Sequence, residues 1–258
     1  MKLYGRYLKI QLNSQLQHKA SFLMLVFGQF LATFTSFLGV YFMMHRFYQV
    51  ADFTLSEVLL NFSIVAFAFA TAELFARGFD SFAQIISNGE FDRMLVRPKN
   101  LFIQILGSRM EFSRIGRLIQ AVLLFIWAVT NSTITWTPAK ILTIIFMWFG
   151  ATIVFATLFL LYASLCFFTL EGLEFINILT DGGREFGQYP FSIYGEFVLK
   201  FLTFIVPLAL VQYYPLLYLT DRSDQLYLMF LPLVATLFIF PVYGFWRFAL
   251  KHYQSTGS

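Results

Sequence analysis

Cysteine, histidine and charge are all scarce in this sequence. Its 258 residues include one cysteine, three histidines and fourteen acidic residues. A single thiol excludes a disulfide framework within the chain and a thiolate metal site. That residue, Cys166, lies in an apolar run and reads as a small helix filler. His18, His45 and His252 are far apart and sit near the ends of apolar segments, so none forms H-E-x-x-H or another metal-ligand spacing. No G-x-x-x-x-G-K-[ST] occurs, so the chain has no P-loop cradle for nucleotide phosphates. The two glycines of Thr180-Asp181-Gly182-Gly183-Arg184 read as a turn rather than a phosphate site. No internal repeat is evident. The net charge is only +4 with a pI near 9.1. Its placement says more than its total, and no nucleic-acid partner is expected.

What fills the space is apolar. Hydrophobic residues make up 59% of the chain, 35 positions are phenylalanine, and mean hydropathy is +0.70. One soluble core could not hide that much surface, so the solvent for it is lipid. The fold class is therefore an all-α integral membrane protein, with residues 1–258 as a single transmembrane domain. A helix needs about 20 apolar residues to span the hydrocarbon core. Six segments qualify: 21–44, 55–76, 118–131, 139–170, 197–219 and 226–250.

Six spans put both termini on one face, with the loops between spans two and three and between spans four and five. That face holds Lys2, Arg6, Lys9 and Lys19, then Arg77, Arg93, Arg97, Lys99, Arg109, Arg114 and Arg117, then Arg184, Lys200, Arg247 and Lys251. These are fifteen of the eighteen basic residues, leaving Arg46, Lys140 and Arg222 opposite. By the positive-inside rule both termini are cytoplasmic. Residues 1–19 read as an interfacial amphipathic helix, with Lys2, Arg6, Lys9, Asn13 and Gln17 at steps of three and four. The segment is no signal peptide, because its apolar run is too long and no small-residue cleavage site follows. Asn131-Ser132-Thr133 forms a glycosylation sequon on the outer side, a tripeptide common by chance.

Polar groups inside spans are few. Glu73 precedes Arg77 by four residues, the favourable order for a helix ion pair, and this pair either fixes the end of span two or gates. Gln29, Thr33, Asn61 and Ser63 serve helix packing or line a pathway. Nothing resembles a chain of buried acids, which disfavours an ion-coupled carrier. In span five Pro207 and Pro215 each remove a backbone donor, so the helix is either kinked or broken and re-entrant from the outer face.

One island stands apart: Gly89-Glu90-Phe91-Asp92-Arg93-Met94-Leu95-Val96-Arg97-Pro98, with four charges in ten residues. Phe79, Phe82 and Ile86 share a face just before it, predicting a short amphipathic helix, and the loop 78–100 falls on the cytoplasmic side. This stretch resembles the first cytoplasmic loop of ABC-2 type permeases, which reads like G-T-L-E-x-L-L-V-T-P before the third span. Gly89, Asp92, Leu95, Val96 and Pro98 match in type and spacing, Phe91 and Met94 replace leucines, and Glu90 and Arg97 depart from threonines. The likeness extends to the interfacial N-terminus, the six spans and the proline-interrupted fifth span. Gln188-Tyr189-Pro190 and Tyr213-Tyr214-Pro215 resemble the subgroup with two different permeases per ATPase.

The resemblance implies a non-catalytic permease subunit of an ATP-driven exporter in a bacterial cytoplasmic membrane, forming half of the pathway. Its partners would be an ABC ATPase in two copies, a second six-span permease and membrane lipids. ATP and magnesium would sit on the ATPase and no cofactor on this chain. It makes 78–100 the coupling loop, with Phe79, Phe82, Gly89, Glu90, Phe91, Asp92, Arg93, Leu95 and Pro98 as coupling residues. An apolar knob, Phe91 or Leu95, would enter a groove on the ATPase, and the push would tilt spans one, two and five. A membrane scaffold that docks a soluble partner through the same loop is the competing reading.

Overall fold

Lipid leaves a chain no unpaired backbone to spare, and helices close all their hydrogen bonds locally. The computed structural model describes residues 2–47, 52–169 and 174–253, and among them helices form the architecture with no strand of a sheet. Five helices are long and apolar enough to cross a membrane, or six if one bent pair counts as a span. Met1 and residue 170, the expected end of the fourth span, lie outside the described residues.

The central element is α3 (Leu55–Asp80), which runs four residues beyond the expected 76. The Thr54 N–H donates to Glu57 Oε2 at 2.8 Å, one half of a capping box. Most of α3 is covered, 78% of its apolar window, because α7 (Ile115–Thr130) and α8 (Pro138–Leu165) pack along it. Ala68, Ala72 and Ala76 keep that face narrow, so Phe69 reaches Phe155 at 5.0 Å between ring centres. Thr137 caps α8 by accepting from the Lys140 N–H at 3.3 Å, and Pro138 sets its first turn.

By contrast α2 (Lys19–Phe47) is only 6% covered. Its main attachment is α7, at a point where a Cβ on Gly116 would lie 2.0 Å from the Val26 carbonyl oxygen. Only glycine lets the two backbones approach that closely. The interfacial helix α1 (Lys2–Leu16) is stapled as well as amphipathic. Tyr4, Leu8 and Leu12 pack towards Leu74, Met110 and Phe112. Gln11 Nε2 donates to the Ser108 carbonyl at 2.7 Å, and the Tyr4 O–H to that of Phe75 at 3.1 Å. Burial pushes the Tyr4 phenol up to about 12.

After α3 come three short helices: α4 (Phe82–Ser87), α5 (Glu90–Leu95) and α6 (Leu101–Ser108). The helix α6 falls where no separate element was expected. It begins at Asn100, whose side chain accepts from the Ile103 N–H at 3.2 Å, and lies against α3 and α1. The reading of 180–184 as a turn is corrected: these residues belong to α9 (Glu174–Phe186). A Cβ on Gly183 would lie 2.8 Å from Leu208 Cδ1, so this glycine is a packing contact.

The fifth apolar segment is broken. The helix α10 (Glu196–Phe204) and the following pair α11 (Leu208–Val211) and α12 (Tyr213–Leu219) meet at 83°. The bend falls just before Pro207, which opens α11. Pro215 does not break the chain where it stands; it occupies the first turn of α12, where its missing N–H has no intrahelical partner to lose. The break it imposes lies upstream at Gln212. The last span runs from Leu226 to Lys251 through α13 (Leu231–Ala235) and α14 (Ile239–Lys251), joined by single 3-10 turns.

Candidate functional site

The charged island folds as a two-sided element. Gly89 has φ of +64°, a left-handed conformation that ends α4 and opens α5, and its N–H donates to the Ile86 carbonyl at 2.9 Å. On α5 the residues Phe91 and Met94, three apart, turn inward. Arg93, Leu95, Val96, Arg97, Pro98 and Lys99 are exposed, with Val96 at 82% and Leu95 at 44%. Phe91 as a knob offered to a partner is therefore corrected: it is fully buried in this chain. Phe79 and Phe82, expected among the coupling residues, are buried as well, at 1% and 0% exposure.

These rings form one aromatic cluster. Phe91 lies 5.2 Å from Phe82, 5.4 Å from Phe167 and 4.8 Å from Tyr253, ring centre to ring centre. Trp246 of α14 closes it, 5.4 Å from Phe82 and 5.7 Å from Phe79. Most contacts are edge-to-face, the favourable arrangement for ring quadrupoles. The Tyr253 O–H donates to Asp92 Oδ1 at 3.0 Å. Burial first, then that hydrogen bond and the carboxylate charge, push the phenol up to about 12, so it keeps its proton at neutral pH. Gln104, 1% exposed on α6, donates to the carbonyls of Met94 at 3.2 Å and Lys99 at 3.1 Å. It thereby fixes the end of the exposed tip. Neither Tyr253 nor Gln104 was singled out from sequence: the Asp92–Tyr253 bond joins residues 161 apart.

A second charged group lies deeper. Glu73, 2% exposed, accepts from Arg117 at 2.6 Å, from Arg114 at 3.2 Å and from Arg77 at 3.5 Å. Glu111 holds Arg114 at 2.7 Å and Arg77 at 3.2 Å, and Asp80 also pairs with Arg77. The expected Glu73–Arg77 pair exists, but it is the longest arm of a six-residue network. The signal for it was the pair of arginines 114 and 117 three residues apart, which the sequence reading used only in the cytoplasmic charge bias.

The four proposed pathway residues do not converge. Gln29 Oε1 accepts from Arg114 at 2.7 Å. Asn61 Nδ2 donates to the Gly187 carbonyl at 2.9 Å. Thr33 and Ser63 donate to carbonyls of their own helices, at 3.1 Å and 2.7 Å. Ser63 borders an otherwise apolar groove on the α3–α7–α8 side, whereas Thr33 borders a polar cleft beneath α2. At the opposite end of the bundle, Arg222 clasps Glu57 at 3.1 and 3.0 Å and lies 3.9 Å over the Phe53 ring. Beside it Lys140 Nζ donates to both oxygens of Asp221 at 2.6 and 2.7 Å.

A family model described as ABC-2 family transporter protein matches residues 30–257, nearly the whole chain. The chain belongs to the ABC-2 transporter family. It is accordingly an ABC-2 type permease, a multi-pass transmembrane component of a transport system. Neither a curated protein nor a solved structure matches it significantly. Within the ABC-2 family framework, the element between the second and third spans of this permease combines an anchored inner face with an exposed apolar tip.

Proposed function

We propose that this permease forms half of an exporter's pathway in a bacterial cytoplasmic membrane and takes its work from a separate ABC ATPase docked on the tip of α5. The observation that carries the reading is the two-sidedness of α5: Phe91 and Met94 bury one face, while Leu95 and Val96 stand exposed among Arg93, Arg97 and Lys99. Exposed apolar residues ringed by three cations suit a groove with an apolar floor and an acidic rim. ATP and magnesium belong to that ATPase, present in two copies, and this chain is the non-catalytic partner, with both termini cytoplasmic. A second six-span permease, identical or different, supplies the other half. The positive-inside distribution supports this orientation.

The aromatic cluster offers a route for the push. Force on α5 passes from Phe91 to Phe82 of α4 and from there to Trp246 of α14, which also touches Phe79 of α3. Buried, close-packed rings transmit displacement rather than absorb it, as rigid-body switching requires. On this reading span six feels the load beside spans one, two and five.

Affinity purification in mild detergent tests the reading. The wild-type chain should retain a P-loop ATPase and a second six-span permease. Leu95→Asp combined with Val96→Asp should lose the ATPase with thermal stability little changed, because both side chains are exposed, Val96 most of all. Undiminished ATPase retention by that variant would overturn the assignment, and absence of both partners from the wild type would favour a scaffold.

A further inference from the structure

Beneath α2 lies a cleft that neither the ion-pair network nor the aromatic cluster fills. Thr33 and Ser36 of α2 form one wall, and Arg117 of α7, Arg184 of α9 and Gln188 the other, over a floor that includes Phe69. Thr33 is fourteen residues into α2, about 21 Å along the helix at 1.5 Å per residue. The wall that Thr33 supplies thus lies within the apolar run of α2, beside which cations are costly unless matched.

No carboxylate lines the cleft; those acting on its arginines from outside the lining are Glu73, Glu185 and, through its charge on Arg117, the exposed Asp181. Glu73 serves three guanidiniums, and Glu185 pairs with both Arg184 and Gln188. Guanidinium groups only donate. The Nε–H of Arg117 is buried without an acceptor, so Glu73 takes only part of what this guanidinium can donate. Arg184 stands apart from the network: its own partner is the half-exposed neighbour Glu185, and its guanidinium lies 5.1 Å over the Phe69 ring. The bland reading, that both arginines merely complete the ion pairs, accounts for Arg117's bond to Glu73. It does not account for Arg184 facing the same cleft. The lining thus holds two guanidiniums and no carboxylate, and its apolar floor continues through Phe62 and Val65.

We propose that this cleft binds the anionic head of an amphipathic molecule, a phosphate or carboxylate between Arg117 and Arg184, with its apolar part along Phe62 and Phe69. The binding claim rests on the isolated chain and survives failure of the ATPase assignment; only the ligand's role as cargo depends on that assignment. Such a molecule has two sources, a membrane phospholipid or a transported amphiphile.

Intact-mass spectrometry of the purified chain in neutral detergent separates them, with phosphatidylglycerol, dodecyl phosphate and the cation dodecyltrimethylammonium as probes. The wild type should retain phosphatidylglycerol or dodecyl phosphate and not the cation, and Arg184→Gln should weaken retention at least about tenfold. Retention of the phospholipid alone assigns the site to a resident lipid, and its displacement by dodecyl phosphate assigns it to cargo. Thr33→Leu fills the cleft from the opposite wall without touching an ion pair, and should weaken retention likewise. Retention unchanged in Thr33→Leu, or equal for cation and anion in the wild type, would overturn the proposal even if Arg184→Gln failed to fold.

Discussion

Glu73 holds three guanidiniums with one carboxylate, and two of them, on Arg114 and Arg117, are themselves 9% and 16% exposed. Removing one member of a buried charge group costs far more than the group contributes over an apolar substitute, because the rest is left uncompensated. Glu73→Gln should therefore destabilise the chain by about 3 kcal/mol. Arg77 is 26% exposed, Glu73 keeps two other guanidiniums without it and Glu111 is 40% exposed, so Arg77→Gln should cost less, about 1–2 kcal/mol. Thermal midpoints of the two variants in one detergent check the ranking, and equal shifts would refute it. Gly89 makes a similar single-residue case. Its φ of +64° costs an L side chain about 1–2 kcal/mol, so Gly89→Ala should loosen α5 and lower ATPase retention, while Asn88→Ala should not.

Among elements, the broken helix shows best what could be read in advance. Pro207 and Pro215 marked a discontinuity because proline removes a donor wherever it stands. The 83° bend and the seat of Pro215 in the first turn of α12 depend on packing. The island at 89–98 was legible from charge density and from its family likeness. Which face of α5 turns inward was not, because the rings that decide it come from residues 167, 246 and 253. The helix α6 was hidden between a loop and a span, since eight residues with a buried glutamine carry little periodic signal.

The same limit applies to the clasp at the far end, where Arg222 meets Glu57 across 165 residues. It ties the loop after α12 to the start of α3, so opening of the broken helix must first release it. Arg222→Glu should destabilise that end, and adding Glu57→Arg should restore part of the loss, the Thr54 cap excepted. Hydrogen exchange of residues 208–219 reads both, and failure of the double variant to recover would count against the clasp.

At the scale of the whole molecule, coverage is uneven: α3 is enclosed while α2 hangs on α7 by Gly116 and by the Arg114–Gln29 bond at 2.7 Å. Association in lipid relies on close packing and hydrogen bonds, with no hydrophobic drive between helices. Gly116→Val should therefore free α2 selectively, speeding amide exchange along residues 23–35 and leaving α3 unchanged. Matching acceleration in α3 would mean that α2 is integral to the central bundle.

Cys166 sits 3% exposed against the core at the end of α8. Because it is the chain's sole thiol, an aqueous maleimide meets a molecule that is chemically blank. A cysteine introduced at Val96, or on the lipid-facing side of α2, would then report from that position alone, with the native residue left in place.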